Sequence, residues 1–292
     1  MIKPLQDDNL AQTLPLQVGV LGGGRMGAGI AHAFLTKGSH VTVVERDNAS
    51  VDAARKRIDE SVGKSLDRGL AGEAKDYLTR LSVTAEHHAF SSMDLVVEAV
   101  PEDWDLKVAS LREIEAVLSP NSVLASNTSS LSVTALGNEL QRPENFFGLH
   151  FFNPVPASTL IEVVIGKQTR PELVEVARRW VQSLGKTAVV VNDAPGFASS
   201  RLGVAIALEA MRMLEEGVAS AEDIDNAMVL GYKHPTGPLR TTDIVGLDVR
   251  LGIAEYLNEM LGERFSPPRI LKELVSRGEL GRKSGKGFYD WD

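Results

Sequence analysis

Short apolar runs alternate with amphipathic, helical stretches along the N-terminal part of the chain. Runs rich in Val, Ile, Leu and Phe that are bounded by Gly, Pro, Asn or charged residues are typical of buried strands in a parallel sheet. The pattern predicts strands at Val18–Leu21, Val41–Val44, Leu95–Ala99, Val123–Ser126, Phe147–His150, Glu162–Ile165 and Ala188–Val191. Because strands that alternate with helices form a parallel sheet covered on both faces, we expect a doubly wound α/β fold.

Two stretches carry a helical rather than a strand pattern. Ser50 to Arg80 is polar and longer than an ordinary crossover, so we expect a helical excursion at about residues 50–80. After Asn192 only helical periodicity remains. One helical face carries Leu202, Ile206, Met213 and Leu214, and further helices are predicted at Ile224–Leu230, Leu247–Leu261 and Ile270–Val275. The sequence therefore predicts an α/β domain over residues 1–191 and an all-α C-terminal domain over residues 192–292.

A glycine-rich loop follows the first predicted strand. Gly22, Gly24 and Gly27 fit the pattern G-x-G-x-x-G, whose glycines allow a tight turn, close approach to a pyrophosphate and close helix packing. The next helix aims its N-terminal N–H groups at the anion. Glu45 ends the second strand about 20 residues downstream, where an acid binds the ribose hydroxyls. This context favours a Rossmann-type dinucleotide site over a glycine-rich turn in another α/β protein.

Composition narrows the class of protein. The chain has 292 residues, 43% of them hydrophobic and 24% charged, so it can bury a full core. Its net charge of −8 argues against nucleic acid as the main partner, and no apolar run reaches the ~20 residues of a membrane helix. The absence of cysteine and of zinc-like histidine spacing predicts no metal site and is compatible with a cytoplasmic location. Met1 to Leu16 does not have the pattern of a secretory or transit peptide.

Three segments near strand ends could carry chemistry. His150 ends an apolar strand, where ligands bind in doubly wound sheets, and could exchange a proton with a hydroxyl or carbonyl group. Glu162 lies among aliphatic residues and would orient His150 if the two are paired. The cluster Ser126–Ser130 could donate to a substrate oxygen. Each has a structural alternative: a hydrogen-bonded histidine, a solvent-facing glutamate and a helix cap.

Together these segments resemble the 3-hydroxyacyl-CoA dehydrogenase family over nearly the whole chain. The motifs that carry the resemblance are Gly22–Ala31, Leu124–Leu131, His150–Pro156, Asp193–Phe197, His234–Pro238 and Gly281–Tyr289. The resemblance implies NAD-dependent interconversion of (S)-3-hydroxyacyl-CoA and 3-oxoacyl-CoA. It also implies a homodimer that associates through its helical C-terminal domain.

The resemblance assigns roles to single residues. It implies a catalytic dyad of His150 and Glu162, with Ser129 hydrogen-bonded to the reacting oxygen. For the NAD cofactor it implies Gly22, Gly24, Arg25, Met26, Gly27, Glu45, Glu102, Lys107, Asn153 and Lys283. For the acyl-CoA substrate it implies Ser61, Arg68, Ser129 and Ser200. Arg55, Lys56, Arg57, Lys64 and Arg68 form a local cationic patch that suits coenzyme A, or else an ordinary solvated helix face.

The chain departs from the family pattern at two places beside the expected acyl site. Ser200 stands where the family usually has asparagine, and Ala157–Leu160 stands where it usually has Val-Met-Lys-Leu. These differences bear on the substrate more than on the cofactor. Two alternatives stay open: a related NAD enzyme for a free hydroxy acid such as carnitine or gulonate, and a non-catalytic, crystallin-like NAD-binding protein.

Overall fold

The computed structural model describes residues 13–292. Most of the stretch Met1 to Leu16, where no secretory or transit peptide is expected, therefore lies outside the described residues. The chain divides into two compact units, Met1–Asp193 and Ala194–Asp292. The boundary predicted between residues 191 and 192 falls close to this division. No helix in residues 13–292 is long and apolar enough to cross a membrane.

The first unit is built on one eight-stranded sheet. Its strands are β1 (Gln17–Leu21), β2 (His40–Val44), β3 (Leu81–Thr84), β4 (Leu95–Glu98), β5 (Val123–Ser126), β6 (Phe146–Phe151), β7 (Leu160–Ile165) and β8 (Thr187–Asn192). They follow the order β3-β2-β1-β4-β5-β6-β7-β8, and every neighbouring pair is parallel except β6 and β7. The strand order reverses between β1 and β4, where doubly wound sheets bind their ligands.

Helices cover the sheet, and they are α1 (Arg25–Leu35), α2 (Asn48–Asp67), α3 (Ala74–Leu78), α4 (Trp104–Val117), α5 (Val133–Asn138) and α6 (Glu172–Ser183). Apolar side chains of α1, α2 and α6 share one buried cluster with the strands. The predicted helical excursion is the helix α2 followed by the short helix α3. The strand β3, which the sequence did not predict, comes directly after it, and only Leu81 and Val83 of this edge strand are buried.

The second unit is all-α, and its helices are α7 (Ser199–Glu215), α8 (Ala221–Asn226), α9 (Pro238–Val245), α10 (Leu247–Leu261) and α11 (Arg269–Ser276). A π-helical turn, Ala227–Gly231, continues α8. A doubly wound sheet followed by an all-α unit confirms the predicted fold class.

The apolar face predicted for α7 is not the face that the unit buries. Leu202 is 64% exposed and Ile206 is 37% exposed, whereas Val204, Leu208 and Met211 are fully buried. The helix carries apolar residues around most of its circumference, so periodicity does not select a face. Packing against the other helices makes that selection.

Each unit has a core of its own, which predicts that the first one folds alone. The main apolar cluster of the sheet contains side chains of the first unit only. We therefore expect a fragment of residues 1–193 to show helical and strand circular dichroism and one cooperative thermal transition. A fragment without a cooperative transition would contradict this expectation.

Candidate active site

The loop between β1 and α1 needs glycine for two different reasons. Gly22 has a φ of +88°, a conformation that favours glycine, while its N–H donates to the Val44 carbonyl at 2.9 Å. A Cβ on Gly27 would lie 1.7 Å from the Gly22 carbonyl oxygen, so no side chain fits there. A Cβ on Gly24 would meet nothing within 4 Å. The loop is therefore closely packed on the sheet side and open at the start of α1.

Glu45 is attached directly to this loop. Its Oε1 accepts a hydrogen bond from the Gly23 N–H at 2.6 Å. The neighbouring Arg46 guanidinium donates instead to the Asp47 carboxylate at 3.1 Å, and both of these side chains are exposed. Glu45 is thus fixed beside the loop, whereas Arg46 is directed towards Asp47.

A cavity of about 1130 Å³ opens at the carboxyl ends of β1, β2 and β4. Its lining includes Gly22, Gly24, Arg25, Met26, Glu45 and Arg57. It lies at the position where the strand order reverses, and the N-terminus of α1 faces it with no side-chain cap. An open helix N-terminus, an acid and a large crevice are the features that a dinucleotide requires, so the residues present fit NAD.

A buried ion pair lies next to the cavity at the end of β4. Glu98 is 0% exposed and Lys107, from α4, is 1% exposed. The Lys107 ammonium donates to Glu98 Oε1 at 2.7 Å and to the Val100 carbonyl at 3.1 Å, and it lies 3.3 Å from Glu102 Oε2. Glu98 Oε2 accepts from the Ser126 hydroxyl at 2.6 Å. The Lys107 ammonium thus donates two hydrogen bonds and forms ion pairs with two carboxylates. Because Lys107 is buried, any effect of this residue on a cofactor passes through its neighbours.

Glu102 organises the loop that follows β5. Its Oε1 accepts hydrogen bonds from the Thr128 hydroxyl, the N–H groups of Ser129 and Ser130 and the Ser130 hydroxyl, at 2.6 to 2.9 Å. Burial raises the pKa of Glu102, but the charge of Lys107 and these hydrogen bonds outweigh burial and hold the pKa below its ordinary value. Glu102 is therefore a carboxylate at neutral pH, and it presents Ser129 at the protein surface.

His150 and Glu162 are directly opposite each other on the antiparallel strands β6 and β7. The His150 Nδ1 and the Glu162 Oε2 are 2.9 Å apart, and the two residues are 5% and 0% exposed. Directly opposed residues on antiparallel strands have neighbouring side chains, so the register itself makes the pair. Glu162 therefore fixes the orientation of the imidazole ring.

Asn127 connects the hydroxyl loop to the strand of His150. Its Oδ1 accepts a hydrogen bond from the Phe151 N–H at 2.9 Å, and the side chain is buried. The loop that carries Ser129 is thereby tied to the residue after His150. Sequence reasoning did not single out Asn127 within the cluster Ser126–Ser130, and it missed Glu98. A carboxylate at the end of the apolar run Leu95–Glu98 was the available signal for Glu98.

Cationic residues form a stripe along α2 and its C-terminal end. The stripe consists of the cations Arg57, Lys64 and Arg68 together with the neutral Ser61. Successive members are four, three and four residues apart, so they lie on one face of the helix. Arg57 lines the cavity and donates to the Gly23 carbonyl at 3.3 Å. Arg55 and Lys56 are exposed on other faces. The stripe therefore begins at the dinucleotide loop and leads away from it.

Three further predicted residues are described by the structure. Asn153 is exposed, two residues beyond β6. Lys283 belongs to the second unit, where its ammonium lies 2.6 Å from both carboxylate oxygens of Asp248. Ser200 is in the first turn of α7. The cofactor role of Lys283 and the substrate role of Ser200 stay predictions. The structure groups no three His, Asp or Glu residues of the described chain as metal ligands.

Comparisons with known proteins give one consistent result. Two family models match in order: "3-hydroxyacyl-CoA dehydrogenase, NAD binding domain" over residues 17–194 and "3-hydroxyacyl-CoA dehydrogenase, C-terminal domain" over residues 196–291. The chain is 40% identical over 278 residues to a probable 3-hydroxybutyryl-CoA dehydrogenase of Deinococcus radiodurans, with 94% of this chain and 100% of that one covered.

Two further similarities extend this result. A 3-hydroxyadipyl-CoA dehydrogenase of Escherichia coli is 39% identical, over 94% of this chain and 58% of that one. The crystal structure of an (S)-3-hydroxybutyryl-CoA dehydrogenase from Ralstonia eutropha superposes with a TM-score of 0.91 at 35% identity, over 95% of this chain and 99% of that chain. The similarity thus covers both units.

The Glu98–Lys107 pair predicts a large effect on stability. Lys107→Met leaves Glu98 buried without its cation, so we expect the free energy of unfolding to fall by about 3–5 kcal/mol in urea denaturation. The double variant Glu98→Gln/Lys107→Met should recover much of this loss. As a control, Arg112→Met removes an exposed ion pair with Glu139 and should cost no more than about 1 kcal/mol. An equal loss in the single and double variants would contradict the prediction.

Proposed function

The chain belongs to the 3-hydroxyacyl-CoA dehydrogenase family, and we propose that it uses His150 and Glu162 as its acid–base pair. Membership in the family makes the protein an NAD-dependent oxidoreductase that interconverts 3-hydroxyacyl-CoA and 3-oxoacyl-CoA. The hydrogen bond between His150 Nδ1 and Glu162 Oε2 is the observation that carries the proposal. The opposite ring nitrogen, Nε2, is proposed to exchange a proton with the substrate.

The proposed proton transfer balances the redox step. In oxidation the substrate gives its hydroxyl proton to His150 Nε2 and loses a hydride from the carbon that bears the hydroxyl group. NAD supplies the hydride acceptor, and the fold must hold its nicotinamide ring against that carbon. Glu162 stabilises the imidazolium that forms on His150. In reduction the imidazolium returns the proton to the carbonyl oxygen.

Ser129 is proposed to hold the reacting oxygen. Its backbone N–H is fixed by Glu102, and its side chain is exposed at the end of β5, the strand that pairs with β6. A hydroxyl donor held in place stabilises the negative charge that develops on the oxygen without reorganising. Glu102 and Asn127 act as positioning residues for this loop.

Coenzyme A is proposed to bind along the cationic stripe of α2. Ser61 and Arg68, the two residues that the resemblance implied, both lie on this stripe. A local cluster of cations is needed because the protein as a whole carries a net charge of −8, which repels a polyanion at long range. The stripe also begins at Arg57, which lines the dinucleotide cavity. This position favours a ligand-binding role over that of an ordinary solvated helix face.

The helical unit is proposed to form the contact of a cytoplasmic homodimer. Large exposed apolar side chains support this assignment, and in the second unit they include Leu202, Ile206, Leu230, Tyr232, Val245, Val249 and Met260. Exposed apolar surface is often buried by association. Light scattering coupled to size exclusion measures the state, and a monomer would contradict the dimer.

The alternative of a free hydroxy acid as substrate has a direct test. Rates of NADH oxidation with acetoacetyl-CoA are compared with rates of NAD reduction with carnitine and gulonate. We expect turnover of the thioester and none of the free acids. The reverse result would contradict the proposed substrate class, and no turnover of any compound would favour the crystallin-like alternative.

His150→Ala is expected to lower kcat for acetoacetyl-CoA by about 10²–10⁴-fold, because it removes the acid–base group. Glu162→Gln keeps the shape but removes the charge, so kcat falls by about 10–100-fold. NADH affinity by fluorescence titration should be unchanged in both variants. His40→Ala, an exposed histidine at the amino end of β2, is the matched control.

The position of Glu45 predicts a strong preference for NADH over NADPH. Its carboxylate accepts from Gly23 and would repel a 2′-phosphate. Glu45→Gln should narrow the ratio of kcat/KM for the two cofactors by at least about tenfold. Arg46→Ala should leave the ratio unchanged, because Arg46 is directed towards Asp47. A selective loss of NADPH activity in Arg46→Ala would contradict this assignment.

The cationic stripe predicts the affinity for coenzyme A. Lys64→Ala/Arg68→Ala should raise the KM for acetoacetyl-CoA about 3–10-fold and leave the KM for NADH unchanged. The salt dependence of KM should also become weaker. Arg55→Ala/Lys56→Ala removes the same charge from other faces of the same helix. Equal effects of the two double variants would show that the net charge, rather than the stripe, is what matters.

A further inference from the structure

The turn between β6 and β7, residues 152–159, has little apolar packing to hold it. Among these residues only Val155 is buried, and the others are half-buried or exposed. A Cβ on Gly29 would lie 2.8 Å from the Val155 Cβ, so this one side chain packs directly against α1. Segments with few buried apolar contacts open easily. The position of the turn therefore depends on its polar contacts.

Two consecutive residues at the start of β8 supply those contacts. The Lys186 ammonium donates to the Val155 carbonyl at 2.7 Å and also to the Ser158 carbonyl. The Thr187 N–H donates to the Thr159 carbonyl at 2.6 Å. Because β7 is antiparallel to β6 and parallel to β8, the start of β8 lies at the same edge of the sheet as the end of β6. Lys186 therefore binds the turn at the edge that carries the proposed acid–base pair.

The electrostatic surroundings do not favour a cation at this position. Burial and the charge of Lys37 lower the pKa of Lys186. Within residues 13–292 the ammonium contacts the two carbonyls of the turn and forms no ion pair with a carboxylate. Burial lowers the pKa of His32 on α1, and the charge of Lys186 lowers it further. A lysine that is opposed by burial and by like charge is explained by what it binds, namely the turn.

The turn begins with an aromatic ring that contacts the acid–base pair. The rings of Phe152 and His150 have centroids 4.5 Å apart and an interplanar angle of 48°. The hydrogen bond from Glu162 limits the position of one ring nitrogen of His150, whereas an aromatic contact limits the tilt of the ring plane. The contact with Phe152 therefore restricts the imidazole in a second direction.

We propose that Lys186 is a positioning residue for the proton transfer, because it holds the β6–β7 turn so that Phe152 stays against the His150 imidazole. The inference rests on the proposed function, since it takes His150 as the acid–base group. Lys186 acts through the turn and needs no contact with substrate or cofactor. A misplacement of reacting groups by about 1 Å can cost about a hundredfold in rate, so the effect is measurable in kcat.

The test measures kcat and KM for acetoacetyl-CoA, and the dissociation constant of NADH by fluorescence, in variants of Lys186. Lys186→Met removes both side-chain hydrogen bonds to the turn, so kcat should fall about 10–100-fold. The KM and the NADH dissociation constant should change by less than about threefold, because the cationic stripe and the glycine loop are unaltered. Lys186→Arg keeps the charge and the donors, so it should recover most of the lost kcat.

A double-mutant cycle tests whether Lys186 acts through Phe152. Phe152→Ala alone should lower kcat, because the imidazole loses its contact with the ring. Lys186→Met/Phe152→Ala should lower kcat no further than the more harmful single variant, since both changes remove the same constraint. Losses that multiply in the double variant, or an unchanged kcat in Phe152→Ala, would contradict this route.

Arg142→Met is the control for a general loss of stability. The Arg142 guanidinium donates to the Glu115 and Ser119 carbonyls at 2.6 and 2.8 Å, so it holds the connection between α4 and β5 as Lys186 holds the turn. That connection leads to the amino end of β5, at the opposite edge of the sheet. With rates measured below the thermal unfolding temperature of every variant, Arg142→Met should keep the wild-type kcat.

The remaining outcomes separate this inference from the function on which it rests. An active wild type with an unchanged kcat in Lys186→Met would contradict the inference alone. Equal losses of kcat in Lys186→Met and Arg142→Met, or no recovery in Lys186→Arg, would assign Lys186 a structural role only. A raised KM or NADH dissociation constant with kcat unchanged would place the effect of the turn on binding. No turnover of acetoacetyl-CoA by the wild type would contradict the proposed function itself.

Discussion

A carboxylate removed from water needs a partner, and this requirement organises the carboxyl edge of the sheet. Glu98 and Glu162 are both inaccessible to solvent, and each ends or interrupts an apolar strand. Glu98 is paired with Lys107 and thereby fixes the start of α4, while Glu162 is paired with His150. The first pair holds the side of the sheet next to the dinucleotide cavity. The second holds the group proposed to transfer the proton.

The sequence was sufficient wherever the determinants are local. The glycine loop, its strand and the acid of β2 occupy one short stretch, and in the structure Glu45 accepts a hydrogen bond from Gly23. The pairing of His150 with Glu162 is different in kind. Both residues were predictable as strand-end candidates, but their contact depends on β7 running antiparallel to β6. Strand direction is set by the tertiary fold and leaves no trace in a run of aliphatic residues.

Other features depend on contacts that periodicity does not encode. The strand β3 is short and half-buried at the sheet edge, so its composition differs little from that of a loop. The helix α7 is apolar on several sides, and its neighbours decide that Leu208 is buried and Leu202 exposed. Glu98, Lys107 and Ser126 come from three elements that meet only when the sheet forms. Their residue types were visible, but their proximity was not.

Buried carboxylates of the second unit also have partners. Asp225 and Asp243 are buried in the helical core, and backbone N–H groups together with tyrosine and tryptophan side chains satisfy both carboxylates. Removing either carboxylate would leave several buried donors without an acceptor, so the fold of this unit depends on Asp225 and Asp243 as the sheet edge depends on Glu98 and Glu162.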